Sequence, residues 1–300
     1  MSLLEKVFYI DDLIKHKGAN GLKYPGVTEI NDVVYDESLP EVCKLDLLFD
    51  ENKVGANGKY PVVFNIHGGG WIVGDKRFRR GVCIQYADDG NFVINVNYAL
   101  TPKYTYRDEV QNIFSALKWM VANAKKYKLD LDKIVITGDS AGAHLSAVTI
   151  VTLLDTDWQQ KFGVEPMDIK FKGAMLFCGP YDFTEFWMRF PVMDAMLKGI
   201  ANIKRVKDYD KSEFKDYLNP ILKIDATFPK TLVVTGAQDF VTNPHNRKLL
   251  ARFDEVGVKY ERYHGTHFFN SFHDFHLKIW MPEAKKAMAR ACVFIKEVIE

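Results

Sequence analysis

Lys133-Ile134-Val135-Ile136-Thr137-Gly138-Asp139-Ser140-Ala141-Gly142-Ala143-His144 passes from β-branched residues to a serine among small neighbours, and then into helix-permissive sequence as far as Leu154. A strand, a Gly-x-Ser-x-Gly run and an immediate helix are the sequence form of a nucleophile elbow. In such a turn the serine sits in strained backbone, and side chains two positions to either side collide with neighbouring strands unless they are hydrogen atoms. Gly138 and Gly142 meet that need. The helix that follows aims unpaired N–H groups and the positive end of its dipole at the space beside Ser140, where an oxyanion would form.

Outward from this stretch, strands and helices alternate. On the N-terminal side, Asp32 to Tyr35 and Val42 to Phe49 read as an antiparallel pair, with turn chemistry at Asn57-Gly58 before the next strand. Tyr60 to Ile66 and Phe92 to Asn97 are apolar runs of the kind buried on both faces. Phe78 to Ala87 reads as a helix, and Asp108 to Tyr127 has amphipathic helical spacing. On the C-terminal side come strands at Phe171 to Cys178, Lys230 to Thr235 and Val258 to Tyr263, and helices at Asn246 to Val256 and Pro282 to Ile299. The fold class is therefore α/β, a mostly parallel central sheet flanked by helices through right-handed crossovers. About fifty residues separate the strand near Cys178 from the one near Lys230, far more than a crossover needs. Their aromatic and methionine cluster predicts a helical cap over residues 183–225, lending apolar walls to a pocket at the C-terminal edge of the sheet. Residues 1–30 read as an N-terminal arm, and 1–300 as a single domain.

Composition bounds the partners. The 300 residues carry a net charge of +1 and 47% hydrophobic residues, which describes a globular chain with a large core and no electrostatic reason to bind nucleic acid or an anionic membrane. Pairs such as Lys125-Lys126 and Lys285-Lys286 read as solvated helix faces. Cys43, Cys83, Cys178 and Cys292 are far apart and show no metal or disulfide spacing, so they read as reduced thiols. The charged N-terminus suits neither a secretory signal nor a membrane anchor, and the cytoplasm is the expected location.

A nucleophilic serine needs a base, and the base an orienting carboxylate. His67-Gly68-Gly69-Gly70-Trp71 ends a buried strand, and its consecutive glycines free backbone N–H groups to face a ligand. With Ala141 these form an oxyanion hole. Asp239 lies just past Lys230 to Thr235 and is the expected acid, with Asp182 as competitor. His267 lies just past Val258 to Tyr263 and is the expected base, while His264, His273 and His276 crowd the same region. The histidine spacing fits no metal motif, so no metal or organic cofactor is expected. Asp139 is expected to tie the elbow to neighbouring loops, and His144 to be buried and hydrogen-bonded.

His67 to Trp71, Gly138 to Gly142, Gly236 to Asp239 and Gly265 to Phe268 together resemble the α/β-hydrolase fold, and within it the hormone-sensitive-lipase-like esterases, over roughly Tyr60 to Phe272. The resemblance implies Ser140 as nucleophile, His267 as general base and acid, Asp239 as its partner, and Gly69, Gly70 and Ala141 as oxyanion donors. The activity it implies is hydrolysis of a small-molecule ester through an acyl-enzyme. Ser140-Ala141-Gly142-Ala143-His144 also resembles kynurenine-formamidase-like and sugar-ester-cleaving relatives, which keeps an amide hydrolase open. A non-catalytic binding protein is the reading from another class. Trp71, Phe240, Phe268 and Trp187 are candidate pocket walls. Their bulk suggests a short acyl group, acetyl to butyryl. Apolar surface on the cap equally suits a homodimer contact.

Overall fold

The computed structural model of the chain describes residues 22–184 and 191–300, together with Ile10 and Leu13. Among the described residues, eight strands form one sheet: β1 (Val27–Val34), β2 (Lys44–Asp50), β3 (Tyr60–Ile66), β4 (Phe92–Val96), β5 (Leu129–Asp139), β6 (Phe171–Phe177), β7 (Lys230–Gly236) and β8 (Tyr260–Gly265). Their order is β1-β2-β4-β3-β5-β6-β7-β8. β1 and β2 are antiparallel to their neighbours, and every pair from β4 to β8 is parallel. The alternation read from sequence thus becomes a doubly covered parallel sheet with an antiparallel edge. Most of the expected arm lies outside the described residues, and its last part is β1.

Period-two alternation divides the core between the two faces. Val62, Phe64 and Ile66 of β3 pack on one side with α2 (Tyr106–Tyr127) and α3 (Ala141–Leu154). Val63 points the other way, toward α1 (Arg80–Asp88) and α7 (Pro282–Ile299). α2 starts at a capping box, in which Thr105 and Asp108 exchange side-chain and backbone hydrogen bonds. α3 is apolar on all sides and buried from Ala141 through Thr152, which suits a helix between the sheet and outer elements. Asp155 ends α3 and caps the short α4 (Thr156–Phe162). Between β6 and β7 the described residues form α5 (Pro191–Ile200) and three short 3-10 turns. α6 (Asn243–Val256) follows β7. Among the described residues, no helix is long and apolar enough to cross a membrane.

Candidate active site

The C-terminal ends of β3, β5, β7 and β8 converge on one edge of the sheet. At the end of β5, Ser140 adopts φ 50° and ψ −115°, a conformation that costs a side-chain-bearing residue free energy and is held by its surroundings. Its N–H donates to the Phe177 carbonyl at 2.8 Å, and its own carbonyl accepts from the His144 N–H at 3.1 Å. The flanking glycines are required by contact. A Cβ on Gly142 would lie 2.0 Å from the Ile66 carbonyl oxygen, and one on Gly138 2.5 Å from the Gly142 backbone. The elbow therefore packs directly against the end of β3.

The glycine loop leaves β3 at that contact. The Gly68 N–H donates to Asp139 Oδ1 at 3.1 Å. The same carboxylate accepts from Arg79 Nε at 3.0 Å and Nη2 at 2.6 Å. Both side chains are almost wholly buried. Burial pushes the Asp139 carboxyl up, but the Arg79 charge and hydrogen bonds outweigh it and hold the group well below its usual range. Asp139 thus ties the elbow to the loop, as its position beside the serine suggested. Gly69 and Gly70 have φ of 133° and 60°, backbone open to glycine at little cost. The N–H groups of Gly69, Gly70 and Ala141 find no hydrogen-bond acceptor among the described residues. From the far side, α5 closes on the loop: a Cβ on Gly70 would lie 2.2 Å from the Met196 methyl group.

Trp71 follows with φ 63°. Its carbonyl accepts from the Thr101 N–H at 2.9 Å and Oγ1 at 3.1 Å. Its indole N–H donates to His144 Nδ1 at 3.2 Å, so His144 Nε2 carries the proton donated to the Leu218 carbonyl at 2.9 Å. Burial brings the His144 ring down to about 4, which keeps it neutral.

The base is where the structure departs from the sequence expectation. His273 Nε2 lies 2.9 Å from Ser140 Oγ, and His273 Nδ1 lies 3.0 Å from Asp239 Oδ2. His267, expected in this position, is exposed, and its Nδ1 accepts from the Phe269 N–H at 3.3 Å. The cause is the path of the chain after β8. The Gly265 carbonyl accepts from the Ala237 N–H at 2.8 Å, after which residues 266–270 swing outward. The chain returns at Ser271, fully buried, whose carbonyl accepts from the Gln238 N–H at 3.0 Å. Phe275, Leu277 and Ile279 then bury and anchor the segment, which sets His273 over the serine. That alternating apolar run was the available signal, because Thr266-His267-Phe268-Phe269 has no comparable anchor.

Asp239 is buried and saturated. It accepts from the N–H groups of Val241 at 3.1 Å and Thr242 at 2.9 Å, and from Thr242 Oγ1 at 2.5 Å. Burial alone would raise its pKa; the His273 charge and these hydrogen bonds prevail and hold it at about 2. A carboxylate fixed on Nδ1 leaves Nε2 as the acceptor for the serine proton, so the arrangement can generate an alkoxide-like nucleophile beside unpaired N–H groups. The competitors are engaged elsewhere. Asp182 pairs with Lys248 at 2.7 Å, His264 Nδ1 meets Thr235 Oγ1 at 2.7 Å, and His276 stacks on Phe177 at 4.3 Å.

Of the expected pocket walls, Trp71 turns into the core, 3% exposed, against His144 and Phe183. Phe240 and Phe268 stand 71% and 69% exposed on the loops that carry Asp239 and precede His273. Trp187 lies outside the described residues. Cys178, His273 and Asp274 offer ligand atoms within 4.8 Å of one another, but both ring nitrogens of His273 already face Asp239 and Ser140.

Comparison with known proteins points the same way. The chain is 33% identical over 190 residues to a probable carboxylic ester hydrolase, LipM, of Mycobacterium tuberculosis, covering 61% of this chain and 42% of that one. It is 26% identical over 242 residues to an esterase of Acinetobacter venetianus, covering 78% and 74%. The chain spans less than half the length of LipM and of the M. tuberculosis esterase LipQ, 42% and 47%. Among solved structures, esterase B of Lactobacillus rhamnosis inhibited by a tributyrin phosphonate superposes with a TM-score of 0.84 at 23% identity, covering 98% of this chain and 93% of that one. That likeness establishes the α/β-hydrolase fold. The BD-FAE family model matches residues 45–253, a stretch running from β2 into α6 that holds the glycine loop, the elbow and Asp239, and the chain belongs to this family.

Proposed function

We propose that this chain is a serine carboxylic-ester hydrolase that cleaves short-chain acyl esters through an acyl-enzyme. The observation that carries it is the hydrogen-bonded run Ser140–His273–Asp239, and the names of the relatives support it. Ser140 Oγ attacks the ester carbonyl carbon as its proton passes to His273 Nε2. The carbonyl electron pair moves onto oxygen, which the N–H groups of Gly69, Gly70 and Ala141 stabilise. The C–O bond to the alcohol then breaks, and the alcohol leaves with the proton from Nε2. Water repeats the sequence on the acyl-enzyme, activated by the same nitrogen. Asp239 keeps the Nδ1 proton in place and offsets the charge of the imidazolium.

Met196 against Gly70 supports a small acyl group, because it brings an apolar wall close to the oxyanion loop. The segment between β6 and β7 serves as the cap. Sugar acetates are the natural-ester class to try first. The reaction needs no metal or organic cofactor. The free thiols Cys43, Cys83, Cys178 and Cys292 suit a cytoplasmic setting, and the cap surface suits a homodimer.

The test is hydrolysis of p-nitrophenyl esters, acetate through decanoate, by wild type and Ser140→Ala, with an N-formyl aryl amide alongside. Turnover of acetate and butyrate that disappears in the variant, with labelling of Ser140 by a fluorophosphonate, supports the reading. Faster turnover of the amide assigns the amide hydrolase instead, and activity that survives Ser140→Ala removes the nucleophile.

A further inference from the structure

His273 is followed by a second carboxylate whose position the mechanism above does not use. Asp274 Oδ2 lies 3.3 Å from His273 Nε2, the nitrogen that faces Ser140 Oγ. Asp239 is on the opposite nitrogen, 3.0 Å from Nδ1. The backbone makes this contact: Asp274 has φ 54°, in the left-handed region that Asp and Asn tolerate better than most residues. The side chain is 7% exposed, so solvent screens it little.

We propose that Asp274 is a second carboxylate acting on the reacting nitrogen of His273, stabilising the imidazolium as the serine proton arrives. The inference rests on the esterase reading of the same site. Before the proton moves, Nε2 presents a lone pair, which gains nothing from a carboxylate 3.3 Å away. As the Oγ–H bond breaks and the N–H bond forms, Nε2 becomes a cationic donor, and the same carboxylate attracts it. The interaction is stronger in the transition state than in the ground state, which is the kind that raises kcat. Among the described residues, several groups near the ring carry no positive charge. Cys178 and Tyr181, from the segment after β6, are kept neutral by burial, which pushes both well above their usual range. Asp239 comes from the loop after β7. From α6, burial brings His245 down to about 4, leaving it neutral. Asp139 is taken up by Arg79 behind the elbow. His276, on the same segment as Asp274, stacks on Phe177.

The experiment compares wild type with Asp274→Asn and Asp274→Gly, both of which tolerate a positive φ. The pH profile of kcat/KM on p-nitrophenyl butyrate is measured together with the NMR titration of the His273 ring. For both variants the expected result is kcat lower by about tenfold with KM little changed, and an acid limb and ring titration both moved down by about one pH unit. The downward direction follows because losing a negative neighbour makes the imidazolium easier to deprotonate. An acid limb and ring titration that stay in place, or move up, overturn the proposal, even if activity falls. Because the ring titration needs no turnover, a wild type inert on esters sinks the esterase reading while the titration still decides the role of Asp274.

Discussion

His273 and His267 differ in what removing them should do. His273 is the ring between Ser140 and Asp239. His273→Ala should therefore lower kcat/KM by on the order of 10^4 or more, the scale at which loss of one member disables such a unit. His267 is exposed and touches neither partner, so His267→Ala should keep activity within about twofold. Steady-state hydrolysis of p-nitrophenyl butyrate by the two variants checks both, and the reverse pattern would return the base to the residue nearest β8. Ser140 and Asp239 were legible in the sequence because each sits where a strand ends, and a strand end is short, local and marked by glycine. His273 was not, because its place is set by where residues 266–272 leave the sheet and re-enter it. That path depends on the pairing of Gly265 with Ala237 and of Ser271 with Gln238, contacts across the fold that the alternating apolar run after His273 signals only indirectly.

At the scale of elements, the elbow and the glycine loop are two turns held by one buried ion pair. Arg79, just ahead of α1, reaches Asp139 beside the serine, and Asp139 holds the Gly68 N–H. Removing only the cation leaves a buried, unpaired carboxylate, at a cost of about 3–5 kcal/mol. Arg79→Met should lower the urea midpoint accordingly, and adding Asp139→Asn should recover part of the loss, because the orphaned charge is then gone. A double variant no more stable than the single one would show that the pair acts through packing alone. The strands and long helices were legible because each fills a full period of burial, and β3 and β4 read as continuous apolar runs. Arg79 was not. Its guanidinium is committed to a residue 60 positions later, and in the sequence it is one basic residue among neighbours at Lys76, Arg77 and Arg80.

Across the whole molecule, buried histidines couple folding to pH, among them His67, His144 and His245, each lowered chiefly by burial. Burial is the leading cause that brings His144 and His245 down to about 4 from an ordinary 6.5. Both rings are therefore neutral in the folded chain, while the unfolded chain takes up protons first as pH falls. Their contribution is full above about pH 6.5 and declines as pH drops toward 4, by up to roughly 3 kcal/mol for each ring. Asp239 acts later, its contribution being present above its ordinary 3.8 and lost toward 2. Urea unfolding at pH 7 and pH 4.5 should show a marked loss of stability in wild type and a smaller one in His144→Gln. Equal losses in the two would mean that His144 carries none of the dependence. The fold places the serine and its acid on turns bound to the sheet, but sets the histidine by the return of the chain at Ser271. The outer arc at 266–270, with Phe268 and Phe269 exposed on it, can then change length and character between descendants of one ancestor without moving the ring. Because the ring is set by the point where the chain re-enters and not by the arc, a search at a fixed distance from β8 stops at His267 on the arc and misses His273, the ring that meets Ser140.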